Sequence, residues 1–191
     1  MSVVLPEKPV GGERWLTRSE AAKLLWTAWR FQETQKGKMT GRRTRRHVAC
    51  FILVALYTGS RAGAVCAAAL QPTEGRGWID LDRGIFYRRP AGERETKKRR
   101  PRLLSHLRRW QRQGQQFAVE WNGRPVRDVD QAFRNIANAA GLRDVTPYVL
   151  RHTAATWLMQ LGTDKWETAE YLGMTAKQLD QTYGHHHPDH L

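Results

Sequence analysis

Residues 48–70 limit the fold more than any other part of this chain. The segment is almost entirely apolar, but residues 58–61 (Thr-Gly-Ser-Arg) interrupt it in the middle. An uninterrupted run of about ten residues is too short to cross a bilayer, and a central arginine costs roughly 2.5–3.5 kcal/mol to insert. The segment therefore predicts two buried core helices of a soluble protein. We expect the first over 46–57 and the second over 61–70, capped by Ser60.

The charge of the chain points to a polyanionic partner. Its 191 residues include 32 Lys+Arg and 18 Asp+Glu, a net charge of +14, and 24 of the cations are arginines. Arginine binds phosphate oxygens in pairs, which favours nucleic acid over the alternatives of an anionic membrane surface or an acidic protein. Cys50 and Cys66 lie in apolar runs, which predicts buried, reduced thiols and no disulfide scaffold.

Cap and turn signals predict a mainly α fold with a small antiparallel β-sheet (α+β). A capping box, Thr17 with Glu20, opens a helix that continues to about Phe31, and a basic loop follows. Over residues 78–89 turn residues separate β-favouring stretches, and residues 84–87 followed by 94–104 are predicted to form a small antiparallel unit around 90–92. Five more helices are predicted near 104–120, 128–140, 147–161, 164–172 and 176–183, each ended by a glycine or a polar break.

Two arginines lie at helix starts, where the helix dipole favours anions. Arg61 opens the second core helix among apolar neighbours, so we expect its guanidinium to be partly desolvated. Arg151 lies one turn inside a helix capped by Thr146 and shares a face with Tyr148. Each arginine could reach out to water as a structural residue, or the two could hold one bound anion. Tyr183, in the last predicted helix, is a packing residue or a mobile nucleophile.

Four segments resemble, in order, the boxes of the tyrosine recombinases, the phage-type integrase family. They are 58–61 (Thr-Gly-Ser-Arg), 95–101 (Glu-Thr-Lys-Lys-Arg-Arg-Pro), 146–156 (Thr-Pro-Tyr-Val-Leu-Arg-His-Thr-Ala-Ala-Thr), and 171–174 (Tyr-Leu-Gly-Met) with 183–188 (Tyr-Gly-His-His-His-Pro). The resemblance covers nearly the whole chain from Trp15 onward. It implies the catalytic-domain fold of that family, a fold of DNA breaking-rejoining enzymes.

The resemblance also implies a mechanism and assigns the catalytic residues. Tyr183 would attack a DNA phosphodiester and form a 3′-phosphotyrosyl link, while Arg61 and Arg151 hold the non-bridging oxygens. Lys97 would protonate the leaving oxygen, with Lys98 as the alternative in register, and Tyr148 occupies the fifth catalytic position. The phosphotyrosine conserves the bond energy, so neither metal nor another cofactor is expected. The function implied is site-specific recombination or integration of DNA.

Three positions depart from the family pattern. Ala64 stands where an acidic residue is usual, Tyr148 where His or Lys is usual, and Met174 where His or Trp is usual. A neutral phenol donates a hydrogen bond but is a poor base near pH 7. Two alternatives therefore remain: a DNA-binding remnant with impaired catalysis, and a DNA relaxer similar to a type IB topoisomerase.

Double-stranded DNA is the expected partner. Seven basic residues are expected to contact phosphates, with a solvated charged face as the alternative for each: Arg42, Arg43, Arg45, Arg46, Lys98, Arg99 and Arg100. The histidines at 185–187 and 190 follow a glycine in a tail, so no metal site is expected there.

The expected organisation has three parts. Residues 1–13 form an arm or linker remnant, 14–174 the catalytic core, and 175–191 a C-terminal helix and tail that carry the nucleophile. The family's N-terminal DNA-binding domain is expected to be absent. The C-terminal segment is expected to be mobile or docked on a neighbouring subunit, which would give self-association on DNA. The expected location is cytoplasmic and nucleoid-associated, without membrane contact.

Overall fold

Helices form most of the part of the chain that the structure, a computed structural model, describes: residues 14–88 and 101–189. The helices are α1 (Arg18–Arg30), α2 (Arg46–Thr58), α3 (Ala62–Ala67), α4 (Pro101–Arg112), α5 (Asp130–Ala139), α6 (Pro147–Gln160), α7 (Lys165–Leu172) and α8 (Ala176–Tyr183), followed by a 3-10 turn, Gly184–His186. The strands are β1 (Thr34–Gln35), β2 (Lys38–Met39), β3 (Trp78–Asp80), β4 (Ile85–Tyr87), β5 (Glu120–Trp121) and β6 (Arg124–Pro125). They form three antiparallel pairs, β1–β2, β3–β4 and β5–β6. The predicted mainly α class with small antiparallel sheets is confirmed.

The helix ends that depend on local signals are confirmed. Thr17 begins α1 with a complete capping box, in which its hydroxyl accepts from the Glu20 backbone N–H at 3.2 Å. Gly59 ends α2 in the left-handed region, at φ 57°, where glycine carries no Cβ penalty. Gly173 ends α7 in the same way. These ends are set by residues within one turn of each other, so the sequence could predict them.

The second core helix is shorter than predicted. It ends at Ala67, and Arg61 rather than Ser60 is its N-cap residue. The chain leaves the helix because residues 68–70 bond to distant backbone: Ala69 N–H donates to Gly77 O at 2.9 Å, and Leu70 N–H donates to Gln116 O at 2.8 Å. These long-range bonds replace the last helical turn that the apolar pattern predicts.

Two β-hairpins are present that the sequence does not predict. The predicted loop over 32–45 contains β1–β2, and the predicted helix over 104–120 ends early, with β5–β6 following. The β5–β6 turn is Asn122-Gly123, with φ of 50° and 74°, a pair that favours two-residue hairpins. The pair β3–β4 lies within 78–89, where β-favouring stretches are predicted, and it turns at 81–84. The predicted antiparallel unit of 84–87 with 94–104 is a different pairing, and its residues 101–104 belong to α4. Residues 89–100, the remainder of that unit, lie outside the described part of the chain.

Helix α2 lies at the centre of the core. Phe51 and Ile52 are fully buried, and α2 packs against α1 on one side and α6 on the other. Phe51 meets Phe133 of α5 edge to face, with ring centroids 6.1 Å apart. Cys50 and Cys66 are free and buried, as predicted. Burial raises the pKa of each thiol to about 12.

The C-terminal helix docks on its own chain. Leu179 and Tyr183 of α8 join Leu172 of α7 and Met159 of α6 in a second buried cluster. This cis packing counts against the expectation that the C-terminal segment is mobile or exchanged in the free chain. In the segments that the structure describes, no helix is both long and apolar enough to span a membrane.

Candidate active site

The turn between α2 and α3 is held from two sides by the C-terminal helices. The Tyr171 hydroxyl on α7 donates to Tyr57 O at 2.6 Å, and the Arg151 guanidinium on α6 donates to Gly59 O at 2.6 Å. The turn carries Arg61, so the position of this arginine is fixed by contacts between residues 114 and 92 positions apart in the chain.

Arg151 is a buried cation at the junction of three elements. Its side chain is 4% exposed, and its Nη1 also donates to Leu172 O, at the end of α7, at 2.7 Å. Burial, and then the charge of Arg61, lowers the pKa of Arg151 below its ordinary value. The two arginines are therefore close enough to repel each other, and an anion between them would relieve that repulsion.

Arg61 differs from its predicted state. Its side chain is exposed, so the expected partial desolvation is wrong. The reason is that Arg61 precedes α3 as its N-cap residue, with φ −64° and ψ 148°, rather than lying inside the first turn. Its guanidinium is therefore accessible to a ligand, while that of Arg151 beside it is fixed by backbone carbonyls.

Tyr183 lies within this cluster. It is 5% exposed, and its Oη is 2.7 Å from Nδ1 of His152. Burial, and then the nearby Tyr148, raises the pKa of Tyr183 to about 12, while the charge of Arg151 acts in the opposite direction. The structure thus brings together Arg61, Tyr148, Arg151 and Tyr183. Lys97 and Lys98 lie outside the described residues.

His152 is a site residue for which sequence reasoning gave no role. Its ring meets that of Tyr148 edge to face at 4.6 Å between centroids. Burial, and then the charge of Arg151, lowers its pKa below the ordinary value. The available signal was its spacing: His152 is four residues after Tyr148 on one helix, so the two side chains share a face.

Arg88 is a second residue that sequence reasoning missed. It directly follows β4, and its Nη1 donates at 3.3 Å to Leu172 O, the carbonyl that also binds Arg151. Its guanidinium covers Gly173, where an added Cβ would lie 2.8 Å from Nη1. No local sequence signal pairs these residues, because they are 84 positions apart.

Only some arginines of the predicted basic loop have side chains that are exposed to solvent. Arg42 and Arg43 are exposed, whereas Arg45 lies 5.7 Å from the Phe31 ring and Arg46 lies 5.0 Å from the Trp29 ring. Arg42, Arg43 and Arg45 line a cleft of about 430 Å³ that Trp121, on the β5–β6 hairpin, closes on one side. Arg99 and Arg100, like Lys98, fall in the segment that the structure does not describe.

Within residues 14–88 and 101–189, no group of three or more His, Cys, Asp or Glu side chains is arranged to hold a metal ion. The rings of His185 and His186 are tilted by 47° with their centroids 4.0 Å apart, and His190 lies outside the described part.

The buried phenol predicts a loss of stability in alkali. The pKa of Tyr183 rises from 10 to about 12 on folding. The contribution of the protonated phenol to the unfolding free energy is therefore complete below pH 10 and is lost as the pH rises towards 12. The loss amounts to about 2–3 kcal/mol of unfolding free energy. Denaturant unfolding at several pH values should therefore show a shallower decline for Tyr183→Phe than for the wild type. Equal declines would contradict the burial of this phenol.

In comparison with known proteins, the C-terminal part of the chain is similar to one protein family. Residues 117–190 match the sequence model of the phage integrase family. A 49-residue stretch is 41% identical to the tyrosine recombinase XerC of Bifidobacterium longum strain DJO10A. The stretch covers 26% of this chain and 14% of that protein. The match to the family includes Tyr148, Arg151 and Tyr183 but not Arg61.

Solved structures match over almost the whole chain. The XerA recombinase has a TM-score of 0.65 at 22% identity, over 94% of this chain and 61% of that one. The Tn1549 transposon integrase, solved with circular intermediate DNA, has a TM-score of 0.69 at 15% identity. The match covers 93% of this chain and 62% of that one. The catalytic domain of bacteriophage HP1 integrase has a TM-score of 0.58 at 17% identity, over 92% and 89%.

This chain thus spans less than two thirds of the XerA and Tn1549 chains and nearly all of the HP1 catalytic domain. At these identities the structures establish the fold alone. The chain has the fold of the tyrosine recombinase catalytic domains, and its residues 117–190 are similar in sequence to the phage integrase family.

Proposed function

We propose that this chain is the catalytic domain of a site-specific DNA recombinase that cleaves and rejoins strands through a 3′-phosphotyrosyl intermediate. One observation carries the proposal: a buried tyrosine, Tyr183, lies in the same electrostatic cluster as Arg61 and Arg151. In this proposal residues 14–174 form the catalytic core and 175–191 carry the nucleophile. DNA as the substrate makes the proposed location cytoplasmic and nucleoid-associated.

The proposed chemistry divides the work between the two arginines and the phenol. Arg151, held by two carbonyls, would present its remaining donors in a fixed direction, and the exposed Arg61 would close on the phosphate from the solvent side. As negative charge develops on the non-bridging oxygens, preorganised donors of this kind lower the barrier without reorganising. Lys97, or Lys98 in the alternative register, would protonate the leaving 5′ oxygen.

A trapping experiment tests the proposed reaction. The substrate is a pool of nicked DNA duplexes with randomised sequence. Cleavage close to the nick releases a short fragment that carries the 5′-hydroxyl. Without that fragment the covalent complex cannot reverse. Denaturing gels should then show a protein–DNA adduct, and sequencing of the bound DNA would define the site. Peptide mapping should place the link on Tyr183, and Tyr183→Phe should give no adduct.

Three other results would contradict the proposal in recognisable ways. Native DNA binding without any adduct, at any protein concentration, would favour the impaired DNA-binding remnant. Relaxation of supercoiled DNA with no preferred sequence would favour a topoisomerase-like activity. An adduct that persists in Tyr183→Phe would mean that another residue is the nucleophile.

The proposed DNA contacts of the basic loop give a salt-dependence prediction. Each neutralised phosphate contributes about 0.9 to the slope of log affinity against log salt concentration. Because Arg42 and Arg43 are both exposed, the variant Arg42→Ala/Arg43→Ala should reduce the slope by about 2. A control variant, Arg109→Ala/Arg112→Ala on the exposed side of α4, should leave it unchanged. Equal slopes for both variants would place the loop away from DNA.

We also propose self-association on DNA through the C-terminal segment, which the family resemblance supports. The free chain holds α8 in cis, so an exchange between subunits would have to follow DNA binding. Mixing a Tyr183→Phe subunit with an Arg151→Ala subunit on one DNA site tests this. Recovery of adduct in the mixture requires a tyrosine given in trans, whereas no recovery would show that each subunit uses its own.

A further inference from the structure

We propose that His152 is the general base that removes the phenol proton of Tyr183 during strand cleavage. The inference deepens the proposed function and rests on it. It assigns a catalytic role to a residue outside the Arg, Lys and Tyr set given by the family resemblance. It also accounts for this chain's departure at position 148, where a phenol stands in place of the usual His or Lys.

The first argument is geometric. Nδ1 of His152 is 2.7 Å from Oη of Tyr183, within the hydrogen-bond reach that proton abstraction requires. The two residues come from different elements, α6 and α8, which pack in the same buried cluster. Of the hydrogen bonds between described residues, this is the one that reaches the proposed nucleophilic oxygen.

The second argument concerns Tyr148. Its side chain is 58% exposed, and its ring packs edge to face against His152 rather than against Tyr183. It therefore limits rotation of the imidazole and leaves Nδ1 directed at the phenol. In this arrangement Tyr148 positions the base instead of serving as the base.

The third argument concerns the charge state of the ring. The pKa of His152 lies below its ordinary value because of burial and the charge of Arg151, so the imidazole is neutral at pH 7. A neutral ring with its proton on Nε2 can accept at Nδ1. The pKa of Tyr183, about 12, means that a free phenolate is scarce and the proton must leave as the new bond forms.

The proposed step balances without a further reactant. The Oη–H bond breaks and an Nδ1–H bond forms, while Oη bonds to phosphorus and the bond from phosphorus to the 5′ oxygen breaks. The leaving oxygen takes its proton from the general acid of the proposed function. In rejoining, a 5′-hydroxyl gives its proton back to the deprotonated general acid and attacks phosphorus. The bond from phosphorus to Oη breaks, and the imidazolium returns its proton to Oη.

The test uses three substitutions in the trapping assay. The Oδ1 atom of asparagine occupies nearly the place of Nδ1, so His152→Asn can accept the hydrogen bond but cannot hold the proton. We expect His152→Asn and His152→Ala to slow adduct formation by about 100- to 10,000-fold, with DNA affinity within about twofold of the wild type. His106→Asn on α4 is the matched control and should react at the wild-type rate.

Chemical rescue distinguishes a proton-accepting role of His152 from a purely structural one. Added imidazole should restore adduct formation in His152→Ala but not in His152→Asn, whose side chain fills the site. The rescue should grow with the basicity of substituted imidazoles. A purely structural role would instead be restored by asparagine and would not respond to imidazole.

The outcomes distinguish this inference from the proposed function. If the wild type forms no adduct, the proposed function fails and the inference fails with it. If the wild type forms the adduct and His152→Asn matches its rate within about twofold, only the inference is overturned. Nitrogen NMR of the His152 ring gives a second measurement, because a proton on Nδ1 in the free protein would also overturn it.

Discussion

Replacement of Arg151 by alanine is expected to slow adduct formation by about 100- to 1,000-fold. Loss of one preorganised donor to developing negative charge typically costs roughly 2.7–4 kcal/mol of barrier. The side chain is also a structural junction, because it donates to the carbonyls of Gly59 and Leu172. Loss of the donor to the buried Gly59 carbonyl costs about 1–3 kcal/mol, whereas Leu172 O keeps its bond from Arg88, so the variant should also unfold at lower denaturant concentration.

Two companion variants separate these effects. Arg151→Lys keeps the charge but has a single ammonium group, which cannot span both carbonyls and a phosphate together. It should recover part of the stability and little of the rate. Arg112→Ala, an exposed arginine on α4, should retain both. Single-turnover adduct formation and denaturant unfolding are the two measurements, and a wild-type rate in Arg151→Ala would remove this arginine from the proposed chemistry.

Replacement of Gly59 by alanine is expected to lower the unfolding free energy by about 2–5 kcal/mol. The residue has φ 57°, and an added Cβ would lie 2.4 Å from Cδ2 of Leu172 and 3.3 Å from Cβ of Ala154. The left-handed conformation costs roughly 1–2 kcal/mol with a side chain present, and crowding of a packed core costs about 1–3 kcal/mol more. Leu172 is fully buried and has little room to move.

Gly75 supplies a matched control for the cost of the left-handed backbone conformation. It has φ 69° and no atom within 4 Å of an added Cβ, so Gly75→Ala should lose only about 1–2 kcal/mol. Denaturant unfolding of the two variants measures the difference, which isolates the contact between Gly59 and α7. Equal losses would show that α7 does not press against the turn that carries Arg61.

Local signals account for the parts of the fold that were predicted well. The ends of α1, α2 and α7 follow from a capping box and two glycines, whose effects act within one helical turn. The parts predicted wrongly are those where distant backbone competes. Residues 68–70 leave the helix for bonds to Gly77 and Gln116, and in the stretch after α4, where a helix is predicted, Ala118 N–H donates to Ala68 O.

The candidate site divides in the same way. Arg61, Tyr148, Arg151 and Tyr183 were named from sequence because each lies in a segment that resembles a family box, and the structure brings them together. The role proposed for His152 could not be read from the sequence, because it depends on where α8 docks.

The sequence by itself determined where most helices lie, the helix ends that are set by caps and glycines, and the basic composition of the chain, because these depend on residues near each other in the chain. Tertiary structure decided which arginine is buried and which is exposed, and which imidazole faces the phenol of Tyr183. The buried Arg151 binds carbonyls 92 and 21 positions away, and Tyr183 meets His152 across 31 positions. Packing of α6, α7 and α8 against the end of α2 creates these contacts, and no local propensity encodes them.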